Sequence, residues 1–137
     1  MARKRRAILV WLATVAMAVA LYAAWAHHRA ETEREQTELG YAARFADYAR
    51  DIKPGTTRSD VQGMLESRGI SFFQRSGDRT YDTLIPLGRE PSGVWYCGPV
   101  LASVLISYEP GDGDNSVAEP ADVIHSVTLD HWADNCL

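Results

Sequence analysis

The chain has 137 residues, 18 acidic and 14 basic side chains, and a formal net charge of −4. That length accommodates one ordinary domain, and 46% hydrophobic residues exclude wholesale disorder. All acidic residues follow Arg29, which leaves 10 Lys and Arg against 18 Asp and Glu beyond His27; such an acidic body is repelled by phosphates and excludes a nucleic-acid binder.

Arg3, Lys4, Arg5 and Arg6 precede an uncharged stretch from Ala7 to Ala26 that contains neither proline nor glycine. Twenty helical residues rise about 30 Å, the thickness of a bilayer hydrocarbon core. A helix also satisfies every peptide group internally, as lipid requires. A membrane span bounded by Ala7 and Trp25 follows, with Tyr22 and Trp25 at the headgroup layer. Only Arg29 closely follows the stretch, so the positive-inside rule puts the N-terminus in the cytoplasm and the rest outside it. A cleaved signal peptide is the rival reading. Ala24-Trp25-Ala26 fits the small-x-small cleavage pattern, although the apolar run exceeds the roughly 7–15 residues of an h-region. No cysteine lies in or just after the segment, so a lipid-anchored lipoprotein is excluded for want of a thiol to acylate.

From Ala26 to Asp51 the pattern predicts a juxtamembrane helix, charged at first and then amphipathic through Leu39, Ala42, Phe45 and Ala49. Lys53-Pro54-Gly55 breaks it. Thr57 caps a second helix predicted over 58–68, with Asp60 reaching back to it. Val61, Met64 and Leu65 form its apolar stripe, and Gly69 ends it as a left-handed residue with Ile70 packing back.

Beyond Gly69 the period changes to two. Strands are expected at 71–75 and 80–87, with 89–93 a loop. A strand or strand pair should span 94–97 and 100–108, broken at Gly98-Pro99. A last strand should start at Val123, with Val123, His125, Val127 and Leu129 sharing one face and a tail from His131. Two helices followed by consecutive strands imply an α+β fold, with helices packed on one face of an antiparallel sheet. The expected divisions are 1–26 (tip and span), 27–52 (juxtamembrane helix) and 53–137 (extracytoplasmic α+β domain).

Pro54-Gly55-Thr56-Thr57-Arg58-Ser59-Asp60-Val61 with Leu65 resembles the turn and helix of SmpA/OmlA-type small envelope proteins. Gly55, Thr56, Thr57, Val61 and Leu65 carry the resemblance. It implies the α-α-β-β-β layer fold shared with beta-lactamase-inhibitor-protein-like domains and a module working through protein contacts. No catalytic residue comes across with the motif, and members that are lipoproteins have an acceptor cysteine that this chain lacks.

Cys97 and Cys136 are the two cysteines. Outside the cytosol an even count predicts one disulfide, closing a loop of about 40 residues. Four histidines are too scattered for metal ligation, and Asp112-Gly113-Asp114-Asn115 fails a calcium-loop template at Val117 and Val123. Trp95, Tyr96 and Trp132 are the candidate interaction surface. The expected function is a membrane-anchored extracytoplasmic module, not an enzyme, with lipid and an envelope protein as partners and neither cofactor nor metal. The alternative is a secreted small hydrolase or ligand-binding domain with a site near His125 and His131.

Overall fold

The computed structural model describes residues 2–76, 81–90, 97–111 and 117–133. The chain is α+β. Helices α1 (Ala2–Asp51) and α2 (Arg58–Ser67) precede strands β1 (Phe73–Ser76), β2 (Tyr81–Glu90), β3 (Val100–Glu109) and β4 (Val123–Ala133). The strands pair antiparallel in the order β1-β2-β3-β4. Two compact units divide the chain, Met1–Leu39 and Gly40–Leu137.

The first unit is the N-terminal part of α1. Leucine, alanine and valine carry it without a breaker, and none of its most apolar 18-residue window, of mean hydropathy 1.5, is buried. Trp11 and Leu21 are 66% and 67% exposed. The helix is therefore long and apolar enough to cross a membrane.

The second unit begins with the last turns of α1. Tyr41, Phe45, Tyr48 and Ile52 recur at helical spacing and join one hydrophobic core. Pro54 cannot continue the helix. Gly55 takes φ +86°, and the backbone there exchanges hydrogen bonds with the start of β4: Gly55 N donates to Ile124 O and Ile124 N to Thr56 O, both at 2.9 Å.

Helix α2 starts where the cap motif predicts. Thr57 Oγ1 accepts from Asp60 N at 3.3 Å and donates to the Asp60 carboxylate at 2.6 Å. At its end Gly69, at φ +66°, donates to Glu66 O, and Ile70 N donates to Leu65 O. This double closure satisfies carbonyls that the helix leaves open. Val61 and Leu65 enter the core and Met64 and Ile70 pack against it.

In the sheet, Ala102, Val104, Ile106 and Tyr108 of β3 point to the core, as their alternation predicts. The strand edges and one register differ from expectation: β1 covers Phe73–Ser76 rather than 71–75. Strand β2 runs on to Glu90 because Gly88, Arg89 and Glu90 pair with Ala102, Leu101 and Val100. Strand β4 continues through His131 and Trp132 to Ala133, since β3 supplies partners that far. It is also bulged, the register shifting between Ser107 and Tyr108. The extra residue is His125, so Ile124 rather than Val123 enters the core, and the single face expected for Val123, His125 and Val127 is broken. A second register shift, between Pro86 and Gly88, leaves Leu87 unpaired in β2. Its carbonyl accepts from Arg44 Nη1 of α1 at 2.8 Å.

Candidate functional site

The most elaborate side-chain arrangement is buried. Arg58, in the first turn of α2, is 2% exposed, and Asp122, just before β4, is 0% exposed. The guanidinium Nε and Nη2 donate to Asp122 Oδ2 at 3.1 and 2.9 Å. Nη1 donates to Gln74 Oε1 at 2.8 Å, and Nη2 also donates to Tyr81 O at 2.7 Å. Its plane lies over the Tyr108 ring, Cζ 3.8 Å from the centroid. Thr83 Oγ1 accepts from Gln74 Nε2 at 2.9 Å and from the Tyr108 hydroxyl at 3.1 Å. Asp122 further accepts from Gly111 N and Glu119 N. Burial pushes the Tyr108 phenol above its ordinary 10.0, partly opposed by the Thr83 hydrogen bond and the Arg58 charge. Each strong donor and acceptor of the ion pair is occupied, so the network ties α2, β1, β2 and β3 to the segment before β4.

The opposite face of the sheet carries a different set. Register and alternation place Phe73, Arg75, Leu84, Leu105, Asp130 and Trp132 there. Arg75 of β1 reaches Asp130 of β4, Nη2 to Oδ2 at 3.4 Å, and its guanidinium lies 5.5 Å from the centre of the Trp132 ring. The two outer strands of the sheet are thus linked by a side chain crossing β2 and β3. Ser103, between them, is fully buried, and its hydroxyl has no hydrogen-bond partner among the described residues.

Of the residues singled out by sequence, Trp132 lies in β4 on this face, half-buried. Trp95, Tyr96 and Cys136 lie outside the described residues; Cys97 is half-buried three residues before β3. Ala7 and Trp25 both fall within α1. The two histidines do not converge. His125, in the bulge, meets Glu109 at 3.0 Å, both half-exposed, whereas His131 packs its ring 6.3 Å from that of Tyr41. A groove of about 260 Å³ is lined by Arg44, Asp47, Tyr48, Asp51, Arg68 and Ile70, and there Arg68 and Asp51 are already paired at 2.6 Å.

Sequence reasoning missed the Arg58–Asp122 pair and the Arg75–Asp130–Trp132 contact. A signal for the first existed. A cation in the first turn of a helix opposes the helix dipole and demands an anion nearby, and Asp122 sits immediately before a strand. The second had none, because it joins strands that are not paired to one another. Compared with known proteins, the chain matches no family model, no curated protein and no solved structure.

Proposed function

We propose that the protein is a membrane-anchored envelope module whose globular unit works outside the cytoplasm through protein contacts. The observation that carries this reading is the N-terminal part of α1. None of the apolar window of this helix is buried, and the uncharged stretch from Ala7 to Ala26 has the length of a bilayer core, which supports a membrane span. The Arg3–Arg6 cluster orients it with the N-terminus in the cytoplasm of an inner-membrane protein. Cleavage at Ala26 is the alternative form, giving a free periplasmic domain.

The helices cover one face of the sheet. Support comes from the core shared by Tyr41, Ile52, Val61 and Leu65 with Ile85, Val104 and Ile106. The other face, with Phe73 and the Arg75-covered Trp132, is the contact surface. This division accords with the SmpA/OmlA-type resemblance of the turn and helix at 54–65. Cys97 and Cys136 form a disulfide. Its support is the even cysteine count beyond the span, in a compartment that oxidises thiols.

Two measurements test the reading. Protease added outside spheroplasts should digest the chain beyond Trp25, and protection of the globular unit would refute the orientation. Envelope solubilised in detergent should yield a partner that is lost on Trp132→Ala but kept on His125→Ala and His131→Ala. Loss through a folded histidine variant would instead favour the hydrolase or ligand-binding alternative.

A further inference from the structure

The distal end of the apolar stretch holds a second cluster, independent of the globular unit. Tyr22, Trp25, Arg29 and Glu33 follow one another at spacings of three and four residues, so they run along one side of α1. The rings of Tyr22 and Trp25 lie 5.9 Å apart, tilted by 36°. The Arg29 guanidinium stands 5.6 Å from the centre of the Trp25 ring. Its Nε donates to Glu33 Oε1 at 2.9 Å. That bond and the ring fix the plane of the guanidinium and leave the two Nη groups at its far edge, which have no partner among the described residues.

We propose that this edge binds the phosphate of a membrane phospholipid in the outer leaflet. The proposal rests on the membrane-anchor reading, and it names the ligand of the span's outer boundary. Two parallel N–H donors match two oxygens of a phosphodiester, a geometry that an ammonium cannot reproduce. The aromatic pair below occupies the level where the hydrocarbon ends, because a ring with a polar edge is favoured there. Arg29 is the first arginine or lysine after the uncharged stretch. Glu33, one turn further out, draws Nε away from the bilayer and turns the Nη edge toward it. The headgroup phosphodiester is common to zwitterionic and anionic phospholipids, so recognition depends on phosphate and not on net lipid charge.

The test uses the full chain, carrying ¹³C- and ¹⁵N-labelled arginine, reconstituted in bilayers of phosphatidylcholine or of phosphate-free digalactosyldiacylglycerol. Dephasing of the guanidinium ¹³C signal by ³¹P reads contact directly, and subtraction of the Arg29→Gln spectrum isolates Arg29. Resistance to alkaline carbonate extraction reads insertion separately. Expected are insertion in both lipids, ³¹P dephasing of Arg29 in phosphatidylcholine, and its loss in Trp25→Ala. An inserted protein whose Arg29 is not dephased overturns the phosphate site and leaves the anchor standing. Extraction of the protein from both lipids overturns the anchor and the site with it.

Discussion

At the scale of single residues, Arg58 and Asp122 dominate. Each is fully desolvated, and each is tolerable only because the other compensates its charge. Asp122→Ala should therefore lower stability by about 3–5 kcal/mol, because it strands a buried cation. Arg58→Met combined with Asp122→Leu should lose less than that single change, because no uncompensated charge remains. Chemical denaturation of the detergent-solubilised chain compares the variants. Tyr108 makes a separate prediction. Its folded pKa is raised by burial, so the folded state holds its proton more tightly than the unfolded chain does. The stability this contributes is complete below the unfolded value of about 10 and is lost as pH rises through the folded value. Denaturation midpoints measured from pH 8 to 11 should fall less steeply in Tyr108→Phe than in the parent chain. An identical slope would show that the ring titrates alike in both states.

At the scale of elements, two glycines mark where backbone geometry and close approach decide the outcome. Gly69 ends α2 at φ +66°, and a Cβ placed there would have nothing within 4 Å, so its role is conformational alone. Gly69→Val should cost at least the ~1–2 kcal/mol of left-handed backbone for an L-residue, read from the thermal or denaturant midpoint. Gly88 behaves differently. A Cβ there would stand 2.5 Å from the Tyr41 hydroxyl and 2.8 Å from its ring. Gly88→Ala should destabilise by about 1–3 kcal/mol through overpacking. Because the damage is one contact, the double variant with Tyr41→Ala should lose less than the two single losses together. Additive losses would place the cost in the β2 backbone instead. The core position of Leu65, fully buried in α2, sets the reference for packing: Leu65→Ala should cost about 2–5 kcal/mol.

For the whole molecule, the proposed anchor and the proposed disulfide each make a prediction. Mass spectrometry of the mature N-terminus separates the two forms of the protein: a start at His27 means a cleaved signal, and an intact basic tip means a retained span. Alkylation without reductant should leave Cys97 and Cys136 unlabelled. In the chain-entropy description a loop of this length is worth roughly 3–4 kcal/mol, so Cys97→Ser should lower the denaturation midpoint measurably. Labelling of both thiols in freshly extracted protein would remove that bond from the reading.

The sequence by itself determined the elements whose causes are local. The uncharged run from Ala7 to Ala26 dictates an apolar helix, because hydropathy and the absence of breakers need no partner to be read. Thr57, Asp60 and Gly69 delimit α2 because caps act within one helical turn. Alternation along Ala102, Val104, Ile106 and Tyr108 identifies the inner face of β3, because the strand period is intrinsic to the backbone. Tertiary structure decided what depends on distant partners. Strands β2 and β4 extend past their composition signals because β3 is long enough to pair with them. The bulge at His125 exchanges Val123 for Ile124 in the core, and no residue in that stretch announces it. Arg58 finds Asp122 across 64 positions of sequence, and Arg75 finds Asp130 and Trp132 across two intervening strands. A side chain's hydrophobicity and helical phase belong to its own neighbourhood, whereas the partner that neutralises a buried charge is chosen only when the chain folds back on itself.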